Sequence, residues 1–132
     1  MQWLDCGLTK GINLMIILQG IDLLKINRIE RVYLNYGEVF LKKIFSDNEI
    51  LQILEKGNKT KYKLASKFSA KEAASKAIGT GFSDGVRFKD IEVLNLRNGK
   101  PSINLYGMAK KKVKNIISSS VSISDDDNFV IA

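Results

Sequence analysis

Asp22 stands inside an otherwise apolar stretch, directly after Gly20-Ile21. A lone carboxylate in such surroundings is costly unless it meets water, hydrogen-bond donors or a cation. Its position fits either a cation ligand or an ordinary turn residue at a strand end. A second group lies much further along the chain. Leu64, Phe68, Glu72 and Lys76 recur at i+4, so one helical ridge passes from two large apolar residues to an acid and a base. That acid and base form either a solvent-facing pair, worth ~0.2 to 0.5 kcal/mol, or the wall of a site. The ridge runs into Gly79-Thr80-Gly81, where a ligand can approach the backbone closely. The chain has no histidine, which leaves carboxylates, lysine or metal-bound water for any proton transfer. Oxygen ligands of this kind suit Mg²⁺ better than zinc.

The elements that must position these residues read as follows. Length alone, 132 residues, suits one domain. Met15 to Leu24 has the Ile and Leu content of a strand. Asn27 can cap a helix to about Tyr36, with Gly37 ending it. Ser46 with Glu49 three residues on has the form of a capping box and opens a helix to about Glu55. Lys61 to Ile78 is the longest stretch of helical character, free of Gly and Pro, and Ala65, Ala70, Ala73, Ala74 and Ala77 keep its flanks small enough for close approach by a neighbour. Phe88 to Leu96 and Pro101 to Tyr106 read as strands joined at Asn98-Gly99. A basic helix is expected over Met108 to Ile117, then two last strands, Val121 to Ser124 and Phe129 to Ala132. Strands at both ends with helices between them define an α+β class.

Charge narrows the partner. Twenty-one basic against 14 acidic residues give +7, which implies nucleic acid, a phosphorylated small molecule or an acidic protein. Only Arg28, Arg31, Arg87 and Arg97 are arginines, which disfavours sequence-specific reading of DNA bases. Cys6 is the only cysteine, so no intrachain disulfide forms and a cytoplasmic location is expected. The longest apolar run, Ile12 to Leu18 interrupted by Asn13, falls short of the ~20 residues that span a bilayer. Gln19-Gly20-Ile21-Asp22 is a poor cleavage site for a signal peptide.

Gly20-Ile21-Asp22-Leu23 with Ile26 and Arg28-Ile29, followed by Phe68-Ser69-Ala70-Lys71-Glu72-Ala73, Ser75-Lys76-Ala77 and Gly79-Thr80-Gly81, resembles the holo-acyl-carrier-protein synthases of the 4'-phosphopantetheinyl transferase superfamily. Phe88, Asp90-Ile91-Glu92 and Asn98-Gly99-Lys100-Pro101 extend the likeness, which covers Met15 to Ala132. The resemblance implies an antiparallel sheet packed with a long central helix, assembled as a homotrimer with active sites between protomers. It implies transfer of 4'-phosphopantetheine from coenzyme A to a serine of an acidic apo-acyl carrier protein, releasing adenosine 3',5'-bisphosphate, in fatty acid biosynthesis. Asp22 and Glu72 match the Mg²⁺-binding carboxylates, and Lys76 the lysine at the pyrophosphate, so these three form the catalytic set. Lys67, Lys71, Lys76, Gly79, Asn98, Gly99, Lys100 and Pro101 form the expected coenzyme A-binding set, and Arg28 and Arg31 the carrier-docking pair. Lysine is a poor base near neutral pH, so Lys76 is assigned as a cation clamp and the serine proton goes to Glu72 or to a metal-bound hydroxide.

Several features depart from that pattern. Residues 1–14 read as an extension that is not part of the 15–132 domain. Leu18-Gln19 replace a glycine common ahead of Gly20, Asp125 stands where many members have a histidine near the coenzyme A phosphates, and the chain stops earlier than the usual last strand. The rival reading is a non-catalytic basic module for RNA or an acidic protein. Its weakness is that Phe40, Phe45, Phe68 and Phe88 lie at core-like positions rather than on a stacking surface.

Overall fold

The computed structural model describes residues 15–132. The expected extension, and Cys6 within it, lie outside the described residues. Strand β1 (Leu23–Lys25) runs straight into helix α1 (Ile26–Ile44), followed by α2 (Asp47–Leu54) and α3 (Thr60–Ile78). A 3-10 turn at Phe88–Asp90 opens the hairpin of β2 (Ile91–Asn95) and β3 (Pro101–Leu105). Helix α4 (Gly107–Lys112) and strands β4 (Ser124–Asp125) and β5 (Phe129–Ile131) complete the order. The class is α+β, with two antiparallel sheets, β1-β5-β4 and β2-β3. Among the described residues no helix is long and apolar enough to cross a membrane.

Local chemistry accounts for most boundaries. Ser46 and Glu49 make the reciprocal capping box that starts α2. Gly79 takes the left-handed conformation, φ 91°, that closes α3 while its N–H bonds back to Ser75 and Lys76 carbonyls. Gly99, φ 83°, turns the β2-β3 hairpin, whose register pairs Ile91 with Leu105 and Asn95 with Pro101.

Five expectations are corrected. Met15 to Asp22 forms no strand, and β1 is confined to Leu23–Lys25. Met15 to Leu18 are each more than half exposed and, among the described residues, have no strand beside them to complete a ladder. Helix α1 does not end at Gly37: the glycine bends it at φ 49° and ψ −125°, and helix resumes because Phe40, Leu41 and Ile44 still have core to bury. Its N-cap is Lys25, not Asn27. The stretch from Phe88 begins as a 3-10 turn because the Asp90 carboxylate folds back onto the Arg87 N–H (3.0 Å) and guanidinium (3.1 Å). Helix α4 stops at Lys112, since Lys110 and Lys114 would repel at i+4 and Ile116 and Ile117 find nothing to pack on.

Helix α3 packs against α1, α2, β1, β2 and β5. Leu64 and Ala65 enter the larger core with Ile26, Ile29, Phe45, Ile53 and Val130. Phe68 stacks on Phe88, which stacks on Phe82. At Gly20 the opening segment approaches α3 through its backbone alone. A Cβ at Gly20 would sit 1.9 Å from the Ala73 carbonyl oxygen and 2.6 Å from the Ala77 nitrogen. Only glycine opposite alanines lets the two backbones meet this closely. Two residues on, Asp22 exchanges backbone hydrogen bonds with Ala132 at 2.9 and 3.0 Å, extending the β1-β5 ladder.

Gly20→Ala should therefore destabilise the fold by at least ~1 to 3 kcal/mol, the usual cost of overpacking, because backbone rather than a flexible side chain must move. Urea unfolding measures this, and a change within experimental error would refute the close approach.

Candidate active site

Asp22 and α3 meet at a cluster of polar atoms. The Asp22 side chain is 13% exposed. Its Oδ2 accepts a 2.9 Å hydrogen bond from Ser69, a fully buried hydroxyl on α3. Its Oδ1 accepts from the Lys76 ammonium at 2.9 Å, and the same ammonium donates to the Ile21 carbonyl at 3.0 Å. Glu72 projects from α3 one turn before Lys76 into this neighbourhood. Its carboxyl is held above the usual range, first by burial and then by the negative charge of Asp22, while Lys76 and Arg28 act in the opposite sense. The three residues of the expected catalytic set are thus brought together. The i+4 ridge carries out the task read from its spacing: Leu64 is fully buried, Phe68 and Glu72 are intermediate, and Lys76 emerges into solvent.

Glu72, raised by burial and then by the like charge of Asp22, makes with that acid a place where a cation lowers the energy of both. Both offer oxygen, the donor preferred by hard divalent ions. No group of three or more ligating side chains occurs among the described residues. The pair therefore fits an ion that takes one or two carboxylates and completes its shell with phosphate oxygens and water.

The expected coenzyme A set divides. Lys67, Gly99 and Pro101 line a separate cleft of about 500 Å³, with Lys59, Lys63 and Asp125 also on its walls. Asn98 and Lys100 are exposed at the hairpin tip, where the Asn98 side chain accepts from the Lys100 N–H at 3.0 Å. Neither Asp22, Glu72 nor Lys76 lines this cleft. Gly79 serves to end α3. Lys71 is fully buried and paired with Glu49 at 2.9 Å, and it also donates to the Phe88 and Ile91 carbonyls. Lys67 is 2% exposed and donates to the Val93 carbonyl (2.7 Å), Gln52 (2.8 Å) and Asn95 (3.1 Å). Both ammonium groups are thus engaged with α2 and β2. Arg28 and Arg31 line a shallow groove with Lys25, Asn27 and Val32 at the start of α1.

Three contributors escaped the sequence reading. Glu49, read only as a helix cap, also accepts the Val93 N–H at 2.8 Å and neutralises Lys71. Glu92 gathers Ser46 (2.6 Å), Tyr106 (3.2 Å), Asn104 and Asn48. Burial alone would raise its carboxyl, and these donors instead hold it below the usual range. Ser69 was visible within the motif but carried no assigned role. The available signal was Lys67 and Lys71 at i+4 beside Leu64 and Ala70, which places two lysines on a buried face.

The sequence profile of the 4'-phosphopantetheinyl transferase superfamily matches residues 19–132. The holo-[acyl-carrier-protein] synthase of Buchnera aphidicola subsp. Baizongia pistaciae is 47% identical over 118 residues, covering 86% of this chain and 91% of its own. That of Solibacter usitatus is 42% identical over 110 residues, covering 83% and 87%. The crystal structure of Helicobacter pylori holo-[acyl-carrier-protein] synthase in complex with coenzyme A superposes with a TM-score of 0.75 at 33% identity, covering 86% of this chain and 95% of that one. The chain belongs to the 4'-phosphopantetheinyl transferase superfamily. Within it, the relatives matched over most of their length are holo-[acyl-carrier-protein] synthases.

Burial pushes the Lys67 ammonium down to about 8 from its ordinary 10.5. The unfolded chain therefore binds the extra proton between those values, and the Lys67 contribution to stability rises as pH climbs through that window. Unfolding free energies from pH 7 to 11 should show wild type gaining on Lys67→Met across the interval. A constant difference would refute the assignment.

Proposed function

We propose that the chain transfers the 4'-phosphopantetheine group of coenzyme A to a serine of apo-acyl carrier protein, yielding holo-carrier and adenosine 3',5'-bisphosphate. The observation that carries this reading is the convergence of Asp22 and Glu72, distant in sequence, beside the Lys76 ammonium. Asp22 and Glu72 would hold Mg²⁺, which when bound supplies charge neutralisation at the diphosphate and positions it for attack. Lys76 clamps non-bridging phosphate oxygens as negative charge moves to the leaving group. Glu72, whose carboxyl is made more basic by burial and by the charge of Asp22, is the chain's own acceptor for the serine proton. The Arg28-Arg31 groove, flanked by Lys25, offers an acidic carrier a positive docking edge next to Glu72.

The proposal includes a homotrimer with α3 as the central helix of each protomer and sites shared between neighbours. Two features support it. The catalytic cluster and the cleft lined by Lys67, Gly99 and Pro101 are separate within one chain, so a neighbour's cleft can complete the first chain's cluster. Leu23 of β1 and Phe129 and Ile131 of β5, with Ile21 just ahead of β1, are exposed and form an apolar sheet face suited to burial between copies. A cytoplasmic setting agrees with this chemistry. Phe45 is fully buried, Phe40 nearly so, and Phe68 and Phe88 stack on one another, so none of the four serves a base-stacking surface for RNA.

Mass spectrometry of an apo-acyl carrier protein incubated with the chain, coenzyme A and Mg²⁺ should register the added phosphopantetheine, and an unchanged carrier mass would overturn the reading. Glu72→Gln should lower kcat/KM by about 10²- to 10³-fold or more without loss of thermal stability, because a carboxyl held in an unfavourable charged state is removed. Arg28→Glu should raise the KM for carrier roughly tenfold and leave coenzyme A binding intact; unchanged carrier KM would remove Arg28 from docking.

A further inference from the structure

We infer that Lys76 is a built-in stand-in cation for Asp22, so that the divalent ion and the diphosphate of coenzyme A bind as one linked event. The inference rests on the transferase reading above and adds an order to its ligand binding. Neither oxygen of Asp22 is bare. Oδ2 is held by the Ser69 hydroxyl, and Oδ1 by Lys76, both at 2.9 Å. The two donors differ in freedom. Ser69 is fully buried on α3 and cannot withdraw, whereas the Lys76 side chain is 51% exposed at the end of a flexible stem. An ion arriving alone at Oδ1 meets an ammonium already there and must either share the oxygen with a like charge or break the pair.

The diphosphate removes that obstacle. Its oxygens give the displaced ammonium a new anion within reach and at the same time supply ligands that two carboxylates cannot. Ion without nucleotide, or nucleotide without ion, leaves one of these demands unmet. By thermodynamic reciprocity, coenzyme A raises the affinity for Mg²⁺ by the same factor as Mg²⁺ raises the affinity for coenzyme A. Lys76 then has two successive anions, Asp22 in the free protein and phosphate in the complex. It is a positioning residue for the ion as well as a contact for the substrate.

Calorimetric titration of the full chain with Mg²⁺ alone, coenzyme A alone, and each in the presence of the other tests this directly. Wild type should bind Mg²⁺ roughly tenfold or more tightly when saturated with coenzyme A, within the usual range of coupling. Lys76→Met should bind Mg²⁺ alone roughly tenfold more tightly than wild type, with the coupling reduced to a few-fold. Lys76→Arg, which keeps a cation at Asp22, should behave like wild type. Arg28→Met removes a positive charge that acts on Glu72 but leaves the Lys76–Asp22 pair in place, and should gain several-fold less. Circular dichroism verifies each fold, and Lys76→Gln replaces Lys76→Met under the same criterion if the latter does not fold. A Lys76→Met protein that binds Mg²⁺ alone no better than wild type, or an Arg28→Met gain of equal size, overturns the inference. Independent binding of ion and coenzyme A by a wild type that still converts its carrier removes the stand-in and keeps the transferase. Linked binding without conversion does the reverse.

Discussion

The backbone of Gly20 lies directly on the backbone of α3, and the position of Asp22 relative to Glu72 and Lys76 follows from that contact. An ordinary side chain at this point would hold the opening segment farther from the helix by the thickness of a methyl group or more. Asp22 would then lose the reach to Ser69 and Lys76 that its 2.9 Å contacts require. The small flank of α3 at Ala73 and Ala77 is the other half of the same constraint, since a larger residue on either side would have the same result. Hydrogen bonds between Asp22 and Ala132 lock the segment from its far side, so the acid is fixed through its main chain first and its side chain second.

Beneath the site lies a second constraint of a different kind. Glu49, Lys71, Lys67 and Glu92 place four ionisable side chains between α2, α3 and β2, all of them nearly or fully buried. Such groups are stable inside only when charge and hydrogen-bonding capacity are met together. Glu49 meets Lys71 and the Val93 N–H, Lys67 reaches three oxygens, and Glu92 collects donors from Ser46 and Asn48 at the start of α2, from Asn104 of β3 and from Tyr106 just after it. Among the described residues no buried side-chain nitrogen or oxygen is left without a partner. An apolar core would tolerate α2 sliding along α3, but this network does not, because any shift strands a charge. The rigidity matters for function, since β2 leads into the hairpin whose Gly99 and Pro101 line the cleft.

How far the residues could be read depends on whether each one acts locally. Ser46 and Glu49 start α2, Gly79 ends α3 and Asn98-Gly99 turns the hairpin because caps and turns are decided by neighbours in the chain. The ridge from Leu64 to Lys76 was legible for the same reason, as helical spacing alone puts those side chains in line. Met15 to Asp22 was misread because strand character is a property of a pair of segments, and among the described residues the pairing with β5 reaches back only as far as Asp22. Gly37 was misread as a stop because the core waiting for Phe40 and Ile44 is tertiary information. Asp22, Glu72 and Lys76 could be nominated from the motif, but their convergence was not derivable from spacing. Lys67 and Lys71 were assigned to the substrate by resemblance, yet their acceptors lie on α2, β2 and the Phe88 turn, which no local pattern reveals.

The cap at Gly79 also governs the direction from which an anion can come. Aligned peptide dipoles leave the carboxyl end of a helix partly negative, the reverse of the amino-terminal arrangement by which many helices cradle phosphate with their amides. Glu72 and Lys76 stand near the carboxyl end of α3, where Gly79 and Gly81 already draw on the Ser75 and Lys76 carbonyls. A phosphate travelling along the helix axis is therefore repelled, and the only inviting route is broadside, across the flank where the lysine stands. On the proposed reading the anion would be admitted by a movable side chain rather than by fixed main-chain dipoles.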